Sequence, residues 1–121
     1  MLTQTGSKLT GAKIKFKDKA EEEIFKTVAI AQVGKYNSFE TSFTLNPRDA
    51  VEVTLYYDLP ATTTLSADSM AYTLYWQKQP GTQDDNFEFI FGSPFGLQSN
   101  VDKLSGVLSK DQSISVTLKP L

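Results

Sequence analysis

Hydrophobic and polar residues alternate one by one along about five stretches of the chain, which is the period of a strand with one buried face. Turn-forming residues separate these stretches, as in Asn46-Pro47-Arg48-Asp49 and Gln79-Pro80-Gly81-Thr82. The alternating stretches are residues 12–17, 51–58, 72–77, 87–91 and 114–118. The pattern predicts strands whose apolar faces form a core of Ile14, Phe16, Phe43, Val53, Leu55, Leu74, Phe89, Ile114 and Val116.

Other segments are less regular. Residues 24–33 are rich in β-branched side chains and predict a central strand, although 19–25 also suit a short helical turn. Residues 39–45 also alternate and predict a strand with Phe39, Thr41, Phe43 and Leu45 on one face. Residues 61–69 predict a threonine- and serine-rich loop, and 101–108 end in a short strand.

About seven or eight short strands at regular spacing indicate an all-β fold. The expected architecture is a two-sheet antiparallel sandwich of the immunoglobulin-like kind. A chain of 121 residues suits one domain, so we predict a single β-sandwich domain over residues 1–121. With 40% hydrophobic and 21% charged residues, the composition is that of a folded domain.

The composition also removes several kinds of chemistry. The chain has no cysteine and no histidine, which excludes disulfides and thiol catalysis and removes the usual general base. No nucleophile elbow or phosphate loop is present, and Glu40 and Glu52 are nominated as paired carboxylates only by residue type. We therefore predict no catalytic residues, no enzyme activity, and folding without a metal or organic cofactor.

Charge and hydropathy limit the partners. The formal net charge is −2, which does not suit nucleic-acid binding, because that needs a basic surface. The start of the chain is mostly polar and does not resemble a signal peptide. No run of apolar residues is long enough to span a bilayer, so we expect no membrane insertion by this segment.

Aromatic residues are the first candidates for a binding surface. Trp76 and neighbouring tyrosines are a candidate platform for sugar rings, which stack on aromatic faces. However, Trp76 and Tyr72 share a face with Leu74, which predicts that they pack in the core. Tyr56 and Tyr75 lie on the opposite faces of their strands and are the better candidates for exposed contacts.

Charged clusters supply the remaining candidates. Asp84, Asp85 and Asn86 lie in a predicted hairpin loop, where their oxygens suit either a contact surface, part of a calcium site, or a solvated turn. We favour the solvated turn over calcium, because the spacing is not that of an EF-hand.

A basic stripe of Lys13, Lys15, Lys17 and Lys19 precedes Glu21, Glu22 and Glu23. The stripe suits attraction to an anionic polymer or lipid headgroups. We favour a solvated face that guards a sheet edge and pairs with a neighbouring acidic strand.

Four segments occur in an order that resembles a known family. They are 6–9, 39–47, 51–60 and 72–81, and the sharpest pieces are Tyr57-Asp58-Leu59-Pro60 and Tyr75-Trp76-Gln77-Lys78-Gln79-Pro80-Gly81. The chain resembles the C-terminal β-sandwich segment of uncharacterised bacterial membrane-anchored surface proteins, known as domain of unknown function four thousand and twelve. The resemblance covers about two thirds of the chain.

The resemblance implies an extracytoplasmic location at the bacterial cell surface, with any anchor outside this segment. It brings no catalytic residues with it. The implied function is a non-enzymatic structural or interaction module whose partner is a protein or a cell-envelope polymer. The alternative is a carbohydrate-binding module that uses exposed aromatic side chains.

Overall fold

The computed structural model describes residues 1–60, 70–93 and 95–121, so the predicted loop at 61–69 lies outside the described residues. The chain is all-β: the described residues form eleven strands, all paired antiparallel, and one 3₁₀ turn at Phe25–Thr27. It divides into two compact units, 1–62 and 63–121. In the first unit the strands are β1 (Leu2–Gln4), β2 (Lys8–Phe16), β3 (Glu22–Glu23), β4 (Ala29–Val33), β5 (Tyr36–Glu40) and β6 (Val51–Asp58). In the second they are β7 (Met70–Trp76), β8 (Asp85–Ile90), β9 (Leu97–Ser99), β10 (Lys103–Leu108) and β11 (Gln112–Pro120).

The first unit has two three-stranded sheets, with strand orders β1-β5-β4 and β3-β2-β6. They share a core because the apolar faces of β2, β5 and β6 turn toward each other. Phe39 on β5 is 2% exposed, and its ring centroid lies 6.0 Å from that of Tyr57 on β6. The buried residues of this core are Leu9, Ala12, Val28 and Phe39, flanked by Ile24, Leu55 and Tyr57.

The second unit combines a two-stranded sheet, β10-β8, with a three-stranded sheet, β7-β11-β9. Phe89 of β8 packs with Ile114 and Val116 of β11, so one core joins the two sheets. Trp76 lies on the core side, half-buried, with its ring centroid 5.4 Å from that of Phe87. Tyr72, Leu74, Phe91 and Val101 complete this core.

Most of the predicted core residues lie on the inner faces of strands. Ile14, Phe89, Ile114 and Val116 are buried, and Phe16, Val53, Leu55 and Leu74 are half-buried. The prediction for Phe43 is wrong, since its side chain is 44% exposed. The predicted strand over 39–45 is correct only for Phe39 and Glu40. β5 ends at Glu40, which pairs with Ala29, the first residue of β4, so β4 has no partner for the residues that follow.

The prediction of a central strand over 24–33 is also wrong. The 3₁₀ turn occupies Phe25–Thr27, close to the helical turn considered for 19–25. β4 begins only at Ala29 and lies at the outer end of its sheet, paired with β5 alone. All of its residues are exposed.

The predicted turns are present. The amide of Asp49 donates to the carbonyl of Asn46 at 3.0 Å, and Arg48 takes the positive φ that the turn demands. At the other turn, Gly81 has φ 80° and the Thr82 hydroxyl donates to the Gln79 carbonyl. The extra strands beyond the predicted count include the short β1, β3 and β9, which are too brief to show alternation. The immunoglobulin-like topology and the single domain over 1–121 stay predictions.

Candidate interaction surface

Tyr56 is exposed on the outer face of β6, as its position in the alternation predicts. Its side chain is 49% exposed and covers Gly11, where a Cβ would lie 3.2 Å from the ring. A register shift in β2 between Leu9 and Gly11 accompanies this contact. Lys13 Nζ lies 6.0 Å from the centre of the same ring. Tyr56 therefore belongs to a mixed aromatic and charged surface of the first unit.

Lys13 lies on β2 between β3 and β6, so the predicted role as an edge guard is wrong at this residue. Lys15 is in register with β6 alone, and Lys17 and Lys19 follow the end of β2. The pairing with acidic neighbours is correct. Lys13 Nζ lies 3.2 Å from Glu21 Oε1, and this hydrogen bond raises the pKa of Lys13. Lys15 is opposite Glu52 in register. A face with alternating charges favours a solvated surface over one that binds an anionic polymer.

Tyr75 is held in place by Asp111. The Tyr75 hydroxyl donates to Asp111 Oδ2 at 2.7 Å, and the Lys78 amide donates to Asp111 Oδ1 at 2.8 Å. The hydrogen bond from Tyr75 lowers the pKa of Asp111, and the same bond raises the pKa of Tyr75. The Tyr75 side chain remains 59% exposed. The result is a fixed, outward-facing aromatic ring at the end of β7.

Lys78 fixes the neighbouring turn. Its Nζ donates to the carbonyl of Thr82 at 2.8 Å and to the Thr82 hydroxyl at 3.1 Å. These bonds, together with those of Asp111, tie the 79–82 turn to the start of β11. The charged groups around Tyr75 therefore bind backbone groups of the turn, and they also hold the hydroxyls of Tyr75 and Thr82.

Asp84, Asp85 and Asn86 are exposed, as predicted. Their placement in a hairpin loop is correct only for Asp84, because β8 begins at Asp85 and pairs Asp85 and Asn86 with β10. Asn86 points outward from β8, because its neighbours Phe87 and Phe89 point into the core. Tyr75 points outward from the other sheet of the same unit, so the two side chains project from opposite outer faces. Tyr56 belongs to the first unit. The structure therefore does not gather the five predicted contact residues into one surface of the second unit.

The calcium hypothesis for the 84–86 segment gains no support. Within the part of the chain that the structure describes, no three Asp or Glu side chains are close enough to hold a metal ion. A calcium ion needs six to eight oxygen ligands.

Two shallow depressions mark the surface of the units. One, of about 480 Å³, lies over β8 and β10 beside Asn86 and Gly106. The other, of about 310 Å³, lies between β2 and the 3₁₀ turn, beside Glu23. The Glu23 carboxylate accepts the amides of Ala12, at 3.4 Å, and Phe25, at 3.0 Å. Its role is to join the turn to the strand. In the first depression Ser105 lies opposite Glu88 in register, but the Glu88 carboxylate forms an ion pair with Lys103 Nζ at 2.8 Å.

The outer edge of β4 is a surface that the sequence analysis missed. Phe39 exchanges hydrogen bonds with Met1, its amide and its carbonyl each at 2.9 Å, so its backbone groups point toward β1. Successive residues of a strand direct these groups to opposite sides. The groups of Ser38 therefore point toward β4, where Ala31 is their register partner.

By the same alternation, the N–H and C=O groups of Ile30 and Gln32 point away from β5. Among the described residues no strand pairs with them on that side. Ile30 lies opposite Phe39 on the core side of the sheet, yet it is 60% exposed because the sheet ends there. Val33, on the other face, is 51% exposed. The edge thus presents unpaired backbone groups flanked by apolar side chains on both faces.

Apolar residues on both faces are typical of a strand inside a sheet. That signal was present in the sequence, since 27–34 contains no charged residue. It led to the prediction of a central strand. β4 is instead the terminal strand of its sheet. Its apolar residues are therefore exposed and form a candidate contact surface.

Comparisons of the chain with protein-family models, with curated proteins and with solved structures find no match. No helix in the described ranges is long and apolar enough to cross a bilayer.

Proposed function

We propose that this chain works by contact and without turnover, as a structural or interaction module of a bacterial extracytoplasmic or surface protein. The location and the immunoglobulin-like topology enter the proposal through the resemblance of segments such as 72–81. The contact function rests on the edge of β4. An open edge with apolar flanks suits the addition of an extended strand, because main-chain hydrogen bonds provide affinity and side chains provide selectivity.

Comparison of the edges within the first unit supports this choice. Natural sheets protect their edges with short strands or charged side chains. β1 has three residues, β3 consists of two glutamates, and β6 carries Glu52 and Asp58. β4 has five residues and no charge. It is therefore the longest unguarded edge described in this unit.

The chemistry of the described side chains also favours contact. The ionisable groups with the clearest interactions, Asp111, Lys78 and Glu23, support turns and strand ends. Serine and threonine hydroxyls are abundant, but a hydroxyl without an activating base is a poor nucleophile near neutral pH. Edge pairing requires no reactive residue.

The test combines a turnover screen with a binding assay. The purified chain is incubated with chromogenic esters, phosphates and glycosides, and no turnover is expected above that of buffer. Immobilised chain is also exposed to bacterial envelope extract, with Ala31→Lys as the edge variant and Ala71→Lys as its matched control. Retention of an envelope protein that Ala31→Lys alone abolishes supports the proposal. Turnover that a single carboxylate or serine substitution removes would refute it.

Carbohydrate binding is the second candidate, and Tyr75 is the observation that favours it. The ring is exposed and fixed by Asp111 on the outer face of β7 and β11, where Thr73 and Ser115 hydroxyls lie 3.4 Å apart. Exposed aromatic rings stack on sugar faces, and hydroxyls bind sugar oxygens.

Affinity electrophoresis in gels that contain cell-wall polysaccharide tests this second function. We expect Tyr75→Ala to abolish the retardation and Tyr56→Ala, also exposed, to leave it unchanged. Equal migration of wild type and Tyr75→Ala would remove this candidate.

A further inference from the structure

We infer that the strand that completes β4 is β4 of a second copy of this chain, paired antiparallel across a two-fold axis at Ala31. The inference rests on the proposed contact function and names its partner. Two copies would then form one continuous sheet, with strand order β1-β5-β4-β4-β5-β1.

The hydrogen-bonding pattern of β4 fits this register. Pairing about Ala31 places Ile30 opposite Gln32 of the second copy. These are the residues whose N–H and C=O groups point to the open edge, and opposite residues of this type exchange both hydrogen bonds. Ala31, whose groups are used by β5, falls on the axis as a non-bonded pair, where side chains approach most closely. Alanine is small enough for that position.

The side chains are self-complementary in the same register. On the outer face Ala29 lies opposite Val33 of the second copy, and the Ala31 residues face each other. On the core side the exposed Ile30 gains the aliphatic part of Gln32 as a neighbour. No charged residue of β4 opposes another, because the strand has none. If β6 paired with a second copy in this way, the charged side chains of Glu52 and Asp58 would lie in the contact.

A second edge provides the natural comparison. β7 also ends its sheet and has no charged residue. Its core-facing residues Tyr72, Leu74 and Trp76, however, are already half-buried in the second unit. Its outer face carries Thr73 and the exposed Tyr75 ring, whose hydroxyl is bound to Asp111. Ile30 of β4 is 60% exposed on the core-facing side and has more apolar surface to bury. Because of this difference, we assign the contact with the second copy to β4 and not to β7.

The size of the contact sets the strength. Two paired strands of five residues bury less than the area of about 1,000 Å² that a stable interface needs. Association is therefore expected to be weak and concentration-dependent. The two-fold register also occupies the open edge of both copies. Assembly should therefore stop at the dimer.

Sedimentation equilibrium over micromolar to millimolar concentrations tests the inference. Ala31→Lys and Ala31→Asp each place like charges opposite one another across the axis, which we expect to raise the dissociation constant about tenfold or more. An equimolar mixture of the two variants pairs opposite charges and should restore association. Ala71→Lys adds the same charge at an exposed position of β7 and should leave the constant unchanged. Circular dichroism of each variant verifies that it folds, as expected for an exposed alanine.

A monomer–dimer isotherm that follows this pattern supports the inference. It is overturned if the wild type is monomeric throughout, if Ala71→Lys rather than Ala31→Lys weakens association, or if the mixture fails to associate more strongly than its components. Growth beyond two copies overturns it as well. Failure here leaves the turnover screen unaffected, so it is distinct from failure of the proposed function.

Discussion

Replacement of Trp76 by alanine probes whether the inner face of β7 is assigned correctly. A tryptophan side chain buries roughly 150–250 Å² when packed in a core. Trp76 is half-buried against Phe87 and the core that contains Ile114. Its replacement by alanine therefore removes on the order of 120 Å² of buried side-chain surface. At about 25 cal/mol per Å² the expected loss in unfolding free energy is about 3 kcal/mol. That lies at the lower end of the range for tryptophan-to-alanine substitutions in cores.

Urea denaturation monitored by far-ultraviolet circular dichroism measures this loss, since the variant no longer has the single tryptophan. Tyr75→Ala is the matched control, because it removes an aromatic ring from the next position of the same strand. Tyr75 is 59% exposed, and we expect a much smaller loss. A loss for Tyr75→Ala that equals or exceeds that for Trp76→Ala would show that the two faces are assigned the wrong way round.

Three further predictions concern a titration, a turn and cations. The folded pKa of Asp111 is lowered by its bond from Tyr75, so that bond contributes stability above the unfolded pKa and loses it as pH falls through the folded pKa. Asp111→Asn should therefore destabilise the chain at neutral pH, with a difference in melting temperature that shrinks in acid; a pH-independent difference would contradict this. Arg48 has φ 67° after Pro47, so Arg48→Gly should raise the unfolding free energy by about 0.5 kcal/mol in urea titrations, whereas Arg48→Ala should not. A strong chelator should leave the melting temperature unchanged, and a large fall would reveal a structural cation.

Strand existence was predictable where one long face is buried against a long partner. β6, β11 and the part of β2 from Ala12 onward show strict alternation, because each pairs over most of its length and turns one face to a core. The alternation also predicted correctly that Tyr56 and Tyr75 are exposed. A partner contact through either side chain stays a prediction.

Sheet order and long-range pairing were not predictable, because they depend on contacts between distant residues. Residues 39–45 alternate well, yet the strand stops at Glu40 where its ladder partners end. The hydrogen bond between Tyr75 and Asp111 joins residues 36 positions apart in the chain, and no local sequence pattern predicts it. The open edge of β4 was not predictable from the sequence either. The composition of β4 indicated an interior strand, and only the strand order of the sheet shows that β4 has a partner strand on one side alone.

Amide hydrogen exchange along β4 tests the open edge most directly. The measurement uses nuclear magnetic resonance on wild-type chain, diluted far enough for sedimentation to show a monomer. The account predicts alternation: slow exchange at Ala29, Ala31 and Val33, whose amides face β5, and fast exchange at Ile30 and Gln32, whose amides face the open side. Slow exchange at Ile30 and Gln32 in the monomer would show that the edge is already covered, and would contradict the account.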